Sequence, residues 1–535
     1  MIDRIIIYNY KGIKHADIRF NEKRNIIVGD NGVGKSTVIE ALSLALGYVP
    51  KNFELTQYHF HSSCWEDYKS THQFPQIEIE LYFHKNDNYA EFTGKNNSLH
   101  TEKLGVRLRF EFDNDRINYI KEEDNYIPCE FYKKTWTWFS DDPVKQFLLP
   151  FSVQIIDSST SFFNTRTSQF ITRLINSNLS IDEVQTLKYR LREMKNHFDK
   201  YEEVISVNKK LTEHIEKSID DRLSISVELS SKMAWESVLG SFLGDIPLTQ
   251  IGLGELCIVK TLISLMHGET DKQKIIIIEE PETHLSHTKM YELLSLIEEK
   301  YNGQLFITTH NSFVANRLNL RNLIVLNRKD EELISVQINN EEEEFKDAFD
   351  FFSKMTDYHT LRLALCESAI LVEGPTDEMI VNYSFLKRDK NYLAHRIEVI
   401  SVGGTKFKNY VTLARLLNKK IAIITDHDKR SKEDTIALYE VAGVNFIRVF
   451  TADEQDDYSI EPTFVHANSG KIEQLKAIIY HGGNRQMSQK ELIDFMEDNK
   501  SEWAFRLLES KDLTFNVPQY IEEAIDWILS DDGEE

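Results

Sequence analysis

One glycine-rich segment constrains the fold of this chain more than any other feature. Residues 29–36 read Gly-Asp-Asn-Gly-Val-Gly-Lys-Ser and fit the pattern G-x-x-x-x-G-K-[ST] at every position. An apolar run at 25–28, typical of a strand, precedes the segment, and residues 37–42 after it have helical spacing. In this context a glycine turn that binds nothing is the less favoured alternative. The segment therefore predicts a nucleotide-binding loop in an α/β fold.

The residue types explain how such a loop would hold a nucleotide. Glycines let backbone N–H groups surround the phosphates, and the start of the helix adds its positive dipole end. Lys35 would neutralise the outer phosphates, and the Ser36 hydroxyl would bind Mg²⁺. The predicted nucleotide-binding residues are Gly29, Asn31, Gly32, Gly34, Lys35, Ser36 and Thr37.

Paired acids follow a later apolar strand. Residues 275–278 are four isoleucines that lead directly into Glu279 and Glu280. Glu279 could hold magnesium through water, and Glu280 could polarise the water that attacks the terminal phosphate. His310 follows the next predicted strand and could contact the same phosphate, although a single histidine is more often structural. A Gly-Leu-Gly-Glu turn at 252–255 adds a weaker anion-binding candidate.

Composition limits the classes of function. A length of 535 residues, at roughly 150 per domain, suggests three or four domains' worth of chain. The net charge of −23 argues against attraction of the whole surface to nucleic acid or membrane. The apolar runs are far shorter than the roughly 18 residues that span a bilayer, and the four cysteines form no C-x-x-C pair. We therefore expect a globular, cytoplasmic protein with no membrane partner.

The order of the predicted elements divides the chain. Alternating patterns at 77–83 and 106–112 predict an antiparallel layer, and residues 180–224 have the composition and spacing of a helical hairpin. Strands and helices then alternate, which predicts a parallel sheet, and a second alternation begins at residue 369. The predicted domains are the first part of the nucleotide-binding domain at 1–174, the helical insertion at 175–225, the second part at 226–345, and a C-terminal α/β domain at 346–535. An acidic run at 341–344 marks the last boundary.

A second set of acids follows two apolar strands of the C-terminal domain. The strand at 369–372 ends in Glu373, and the strand at 420–424 is followed by Asp426 and Asp428. A spacing of two residues at a strand end aims both aspartates to one side, where Glu373 could converge with them. Such oxygen ligands suit Mg²⁺ or Mn²⁺, and a cation that bridges them to a phosphodiester can activate water. The pattern predicts phosphodiester hydrolysis, although each motif alone is common in surface turns.

These motifs resemble two known families. The glycine-rich loop, the paired acids and His310 resemble the ATP-binding-cassette (ABC-type) ATPases of chromosome maintenance and recombination. That resemblance implies ATP as cofactor, Glu280 as catalytic glutamate and His310 as switch histidine, while the turn at 252–255 departs from the usual Ser-Gly-Gly-Gln signature. Glu373, the glycines at 403–404 and the Asp-x-Asp segment resemble the Toprim domain. It implies that Glu373 is a general acid or base and a metal ligand, and that Asp426 and Asp428 bind metal.

A cassette ATPase followed by a Toprim domain is the arrangement of the OLD (overcoming lysogenisation defect) family of ATP-dependent endonucleases. The resemblance implies a DNA substrate, a Toprim domain with a parallel central sheet, and further metal ligands at Asp377 and Glu461. It also implies that Lys500 stabilises the scissile phosphate. The helical insertion resembles a dimerisation element, which implies a homodimer or higher homo-oligomer, but its apolar stripe could equally pack on the chain's own sheet. Family members in Gabija and retron systems imply a role in anti-phage defence, with a companion protein or nucleic acid.

Three functions stay open. The leading hypothesis is an ATPase in which the nucleotide state controls a metal-dependent DNA-cutting centre, in either direction. A DNA-sensing ATPase with a non-cleaving Toprim domain is less favoured because the carboxylate set is intact. Topoisomerase or primase chemistry ranks lower, since no tyrosine stands out as a nucleophile and no zinc module is present. Seven basic residues around the Asp-x-Asp segment could line a DNA path, namely Lys406, Lys408, Lys419, Lys420, Lys429, Arg430 and Lys432.

Overall fold

The chain divides into two compact units, which we describe separately. The computed structural model describes residues 1–48, 53–120, 125–145, 148–157, 179–215, 225, 242–248, 250–265, 273–283, 285–329, 331–337, 347–348, 350–352, 359–388, 396–441, 443–480 and 487–530. The first unit comprises Met1–Ile27, Gly34–Thr309 and Asp330–Leu333, and the second comprises Val28–Val33, His310–Lys329 and Ile334–Glu535. The acidic run at 341–344 and the predicted boundaries near 174 and 345 lie outside the described residues, so the domain limits stay predictions.

The described residues form fourteen strands before the C-terminal domain, and twelve of these form one mixed sheet. Their bounds are β1 (Ile2–Tyr10), β2 (Ile13–Arg19), β3 (Arg24–Gly29), β4 (Ile77–Phe83), β5 (Thr93–Gly94), β6 (Lys103–Phe112), β7 (Tyr132–Trp138), β8 (Phe151–Asp157), β9 (Phe242–Leu243), β10 (Ile246–Pro247), β11 (Gln273–Glu279), β12 (Gln304–Thr308), β13 (Leu323–Lys329) and β14 (Glu332–Gln337). The strand order is β5-β6-β4-β1-β2-β14-β13-β3-β12-β11-β8, with β7 paired to β6, and β9 and β10 form a separate hairpin.

The mixed sheet has an antiparallel part and a parallel part. Strands β1, β2, β4, β6 and β7 pair antiparallel, which confirms the layer predicted at 77–83 and 106–112. Strands β3, β12, β11 and β8 are parallel neighbours. The four isoleucines of β11 are completely buried, as expected for a parallel strand that is covered on both faces. This part of the sheet therefore delivers the ends of β3, β11 and β12 to one edge.

Six helices lie in the described part of the first unit. They are α1 (Lys35–Ala45), α2 (Ser62–Thr71), α3 (Ile181–Phe198), α4 (Glu202–Ile215), α5 (Leu253–Leu265) and α6 (His287–Lys300). Helix α5 begins at Leu253, so the second glycine of the turn predicted at 252–255 is already helical. Helices α3 and α4 form the predicted insertion, and Ser180 starts α3 by accepting a hydrogen bond from the Glu183 N–H.

The apolar stripe of the insertion is only partly buried. Leu191 of α3 is 6% exposed, whereas Leu187 is 38% and Met194 52% exposed. Packing on the chain's own sheet therefore does not account for the whole stripe.

The second unit contains a four-stranded, fully parallel sheet. Its strands are β15 (Ser368–Val372), β16 (Ile397–Ser401), β17 (Lys420–Ile424) and β18 (Ile447–Phe450), in the order β16-β15-β17-β18. The helices of this unit are α7 (Ser312–Arg317), α8 (His359–Leu365), α9 (Pro375–Lys387), α10 (Phe407–Leu417), α11 (Lys432–Ala437), α12 (Ile460–Ala467), α13 (Ile472–Ile479), α14 (Gln489–Asp498), α15 (Lys500–Ser510) and α16 (Gln519–Leu529). The predicted α/β class with a parallel C-terminal sheet is confirmed.

One apolar core holds the C-terminal helices against this sheet. Helix α16 packs on β15, β17 and β18, and α9 packs on α15 and β16. The core includes Val372, Ile424, Trp503 and Ile521, each at most 1% exposed. Burying a large apolar side chain contributes about 1.5–3 kcal/mol relative to leaving it in water. The residues that follow β15 and β17 are therefore anchored on a rigid support.

Among the described residues, no helix has the length and apolar character needed to cross a bilayer.

Candidate nucleotide and metal sites

The glycine-rich loop has the backbone that its glycines predict. Gly32 and Gly34 have φ of 76° and 123°, values at which a side chain would strain the backbone. A Cβ at Gly29 would lie 2.8 Å from the carbonyl oxygen of Leu326, so no larger residue fits there. Helix α1 begins at Lys35, and the N–H groups of a first helical turn favour an anion. The local geometry therefore suits a phosphate-binding loop.

The side chains of the loop differ in exposure. Lys35 is only 5% exposed, Asn31 and Ser36 are exposed, and Thr37 is half-buried.

Glu279 and Glu280 stand at the end of β11, as predicted. Glu279 lies opposite Thr308 in the register of β11 and β12. The Glu280 N–H is 3.0 Å from the Thr308 carbonyl oxygen and 3.3 Å from its hydroxyl, and Glu280 has a left-handed φ of 41°. The next residue, Thr309, donates through Oγ1 to Glu282 Oε1 at 2.7 Å. Thr308 and Thr309 therefore hold the acidic turn, a role that no motif in the sequence indicates.

His310 follows Thr309 directly and is the first residue of the second unit after β12, where it is partly exposed. Gly252 is exposed directly before α5, and a Cβ there would meet no atom within 4 Å. The roles assigned to these two residues stay predictions.

Glu373 and Asp426 meet at the carboxyl end of the parallel sheet. Strands β15 and β17 are neighbours with their last residues paired, so the residues that follow leave the sheet side by side. Glu373 Oε1 accepts hydrogen bonds from the Thr425 hydroxyl at 2.6 Å and from the Asp426 N–H at 3.0 Å. The structure thus brings together the glutamate and the first aspartate of the predicted set.

The other carboxylates come from adjoining segments. Asp377, in the first turn of α9, is 8% exposed and accepts from the Gly374 N–H at 3.0 Å. Glu461, in the first turn of α12, is 1% exposed and accepts from the Ser459 hydroxyl at 2.9 Å. Asp428 is exposed. Two of the acids are therefore almost completely removed from water.

Burial and mutual repulsion raise the pKa of two carboxyl groups. Burial raises the pKa of Asp377 to about 7, with smaller increases from Glu373 and Glu461. Burial also raises the pKa of Asp426 well above its usual value, and the four other acids of the set each add to the increase. All five carboxylates therefore occupy one electrostatic neighbourhood, in which a proton or a cation is favoured.

Two unpredicted tyrosines border these acids. Tyr520 of α16 is 7% exposed, and its pKa is raised by burial first and then by Asp426, Asp377 and the two glutamates. Tyr439 is 8% exposed, and its pKa is raised by burial and by Glu373. A neutral phenol can donate a hydrogen bond to a carboxylate. Both tyrosines lie in apolar patterns that favour a core position, so the sequence carried no signal for them.

The Asp-x-Asp pair lies beyond the end of its strand. Strand β17 ends at Ile424, so Asp426 and Asp428 lie in a loop where the two-residue period of a strand does not apply. Asp428 and Lys429 have left-handed φ of 51° and 66°. A turn, rather than strand pleating, therefore places the second aspartate.

The expected basic cluster is partly wrong. Lys419 precedes β17 and Lys420 begins it, so the length of the strand, about 13 Å, separates both lysines from the end that leads to Asp426. Their Nζ atoms donate to the carbonyl oxygens of Cys366 and Ser530, each at 2.6 Å. Lys432 pairs with Asp453. The members that are exposed are Lys406, Lys408, Lys429 and Arg430.

Lys500 is the exposed first residue of α15, and no hydrogen bond or ion pair joins it to the described carboxylates. Its role stays a prediction.

The acidic set has the donor chemistry of a site for a hard divalent cation. Carboxylate oxygens suit Mg²⁺ or Mn²⁺, and a cation would relieve the repulsion that raises the pKa of Asp426. In the described part of the chain, however, no three His, Cys, Asp or Glu side chains are already arranged to hold a metal. Glu373, Asp377 and Glu461 each accept a hydrogen bond from the protein instead. The carboxylates therefore have the chemistry that such a cation requires. In this structure, one oxygen of each of these three residues accepts a hydrogen bond from the protein.

Known proteins share both parts of this arrangement. Residues 24–316, more than half of the chain, match the family described as "AAA domain, putative AbiEii toxin, Type IV TA system", and residues 365–428 match "Overcoming lysogenization defect protein-like, TOPRIM domain". Endonuclease GajA of Bacillus cereus (strain VD045) is 24% identical over 474 residues, which cover 82% of this chain and 77% of that protein.

Two further likenesses are shorter. Septu protein PtuA of Bacillus mycoides (strain KBAB4) is 27% identical over 104 residues, 18% of this chain and 15% of that protein. The solved C-terminal region of the Xanthomonas campestris pv. campestris OLD protein is 22% identical with a TM-score of 0.24, and the match covers 30% of this chain and 92% of that one.

The fold and the two sites define a P-loop ATPase that is joined to a Toprim domain. The chain belongs to the AAA family of the first match, and its Toprim domain makes it an OLD-family ATPase–Toprim protein.

Proposed function

We propose that the protein binds and hydrolyses ATP and cuts DNA with a divalent metal, with the nucleotide state controlling the cut. The observation that carries the proposal is the meeting of Glu373 and Asp426 at the ends of β15 and β17, with Asp377 and Glu461 buried in adjoining segments. A relative that aligns with 82% of the chain is named an endonuclease, which supports the same activity.

At the nucleotide site, the residues of the glycine-rich loop would bind the phosphates. Backbone N–H groups and Lys35 would hold the phosphates, and Ser36 and Glu279 would hold Mg²⁺. Glu280 would polarise the attacking water, and its backbone is fixed for this by the two bonds to Thr308. His310 would sense the terminal phosphate.

At the Toprim site, Glu373, Asp377, Asp426, Asp428 and Glu461 would hold Mg²⁺ or Mn²⁺. The cation, when bound, lowers the pKa of water and stabilises the leaving oxygen. Glu373 would exchange a proton with the reacting water, and Lys500 would offset charge on the phosphate. The raised pKa of Asp426 and Asp377 means that these residues release protons when the cation binds.

We further propose a homodimer or higher homo-oligomer that uses the exposed part of the α3 stripe. A role in anti-phage defence, with a companion protein or nucleic acid, is supported by the names of the two relatives from Bacillus.

Cleavage of supercoiled plasmid with Mg²⁺ or Mn²⁺, with and without ATP, tests the proposal. Asp426→Asn should reduce cleavage by at least about 100-fold, because the metal loses a ligand at the reacting phosphate. Lys35→Ala should abolish ATP turnover and remove any effect of ATP on cleavage. Asp453→Asn, which neutralises an exposed acid of the same unit, should cut like the parent protein. Cleavage by Asp426→Asn at the parent rate would overturn the assigned centre.

A second candidate function is an ATPase that senses DNA through a non-cleaving Toprim domain. Two observations favour it. Among the described residues, no three His, Cys, Asp or Glu side chains are arranged to hold a metal, and Glu373 Oε1 already accepts two hydrogen bonds from the protein. It predicts ATP turnover that DNA stimulates, with no cleavage at any metal concentration.

A further inference from the structure

His427 lies between the two aspartates of the Toprim site and is only 2% exposed. The Lys429 N–H donates to its Nδ1 at 3.1 Å, and its Nε2 lies 3.1 Å from the carbonyl oxygen of Glu454. Because a carbonyl oxygen only accepts, Nε2 carries the proton, and Nδ1 offers its lone pair to the N–H. Both nitrogens of the neutral ring are therefore used for holding backbone.

The Nδ1 bond closes the turn that places the second aspartate. Asp428 and Lys429 both have left-handed φ, which residues with side chains rarely adopt in succession. The bond from the Lys429 N–H reaches back across Asp428 to the ring, and the Arg430 N–H donates to the His427 carbonyl at 2.8 Å. The direction of the Asp428 side chain therefore depends on the turn that the His427 imidazole holds closed.

The Nε2 bond ties this turn to the segment that carries the next proposed ligand. Glu454 lies seven residues before Glu461, in the stretch that leads into α12. A second tie runs from the Asp428 N–H to the Tyr458 carbonyl at 3.3 Å, and Lys429 Nζ lies 4.8 Å from the centre of the Tyr458 ring. The buried ring thus joins the loop of the aspartate pair to the loop of Glu461.

We propose that His427 is a positioning residue for the metal site. It fixes the distance between the aspartate pair and Glu461 without itself binding the cation, because both of its nitrogens already hold backbone groups. This inference rests on the proposed metal-dependent function of the same site. A hydrogen-bonded residue behind metal ligands changes metal affinity by about 10–100-fold when it is removed.

Binding of Mn²⁺ to the metal-free full-length protein, followed by the electron paramagnetic resonance of free Mn²⁺, tests this. We expect His427→Ala to weaken binding by about 10–100-fold, while cleavage at saturating Mn²⁺ stays within a few fold of the parent rate. His427→Asn places an amide oxygen where Nδ1 lies and should recover part of the affinity. His287→Ala removes an exposed imidazole from the first unit and should bind Mn²⁺ like the parent protein.

Equal affinity of the parent protein and His427→Ala would overturn the inference, as would an equal loss in His287→Ala or no recovery in His427→Asn. Asp426→Asn separates this result from failure of the proposed function. If Asp426→Asn also binds Mn²⁺ and cuts DNA like the parent protein, the metal centre itself is wrong. If it loses both while His427→Ala loses neither, only the role of His427 is wrong.

Discussion

At the scale of residues, the ionised carboxylates of the Toprim site destabilise the folded protein. Asp377 and Asp426 are largely buried beside three further acids, and burial raises the pKa of both. An acid whose pKa is higher in the folded than in the unfolded chain destabilises the fold when it is ionised. The metal-free protein should therefore gain stability when one of these charges is removed.

A pH series measures this effect at Asp377. The folded chain keeps the proton of Asp377 up to a pKa of about 7, whereas the unfolded chain loses it near about 4. The folded state thus binds more protons between these values, and this contribution to stability falls as pH rises through the window and is lost above about 7. The free energy of unfolding of Asp377→Asn should exceed that of the parent protein by about 1 kcal/mol at pH 5, and the difference should rise to about 4 kcal/mol at pH 8.

Urea unfolding of both proteins in excess chelator gives the free energies. Asp453→Asn, at an exposed and paired acid, controls for the change in net charge. A constant difference between Asp377→Asn and the parent protein across the pH range would contradict the expectation.

At the scale of elements, the start of α1 depends on one glycine. Gly34 has φ of 123° and ψ of 13° immediately before the helix, and a residue with a side chain would strain the backbone there by about 1–3 kcal/mol. Gly34→Ala should therefore tilt the loop and weaken binding of an ATP analogue at least about tenfold, as measured by fluorescence titration. Mn²⁺ binding should be unchanged. Gly470→Ala, at a glycine with ordinary φ and open space, is the control, and full ATP affinity in Gly34→Ala would contradict the argument.

Elements were predictable from the sequence where short-range patterns determine them. The strand–loop–helix around Lys35 and the buried runs of β11, β15 and β17 follow from apolar runs and glycine spacing, so the acids at their ends could be named. The turn at Asp428 could not be predicted, because its left-handed backbone is held by the hydrogen bond that the Lys429 N–H donates to His427 Nδ1. Tyr520 could not either, since only the packing of α16 on β17 brings it to acids that lie about 60–150 residues earlier in the sequence.

At the scale of the whole molecule, the two compact units predict two unfolding steps. The five carboxylates all lie in the second unit, whereas the predicted nucleotide-binding residues are divided between the units, with Gly29, Asn31 and Gly32 in the second and Lys35 and Ser36 in the first. A ligand at 100 times its Kd stabilises the unit that binds it by about 2.7 kcal/mol. Mn²⁺ should therefore shift one calorimetric transition and leave the other in place.

Variants assign the two transitions. Asp426→Asn should lose the shift with Mn²⁺, and Lys35→Ala should keep it. A single transition that Mn²⁺ moves as a whole would show that the units unfold together.

The position of α16 has a consequence for the synthesis of the protein. This helix begins at Gln519, covers β15, β17 and β18, and contributes Tyr520 to the border of the acids. Until the ribosome has released residues 519–529, β15, β17 and β18 lack the helix that packs on them, and the carboxylates lack Tyr520 at their border. We therefore expect a chain truncated before Gln519 to lack the packed acidic site, and with it the activity proposed for that site.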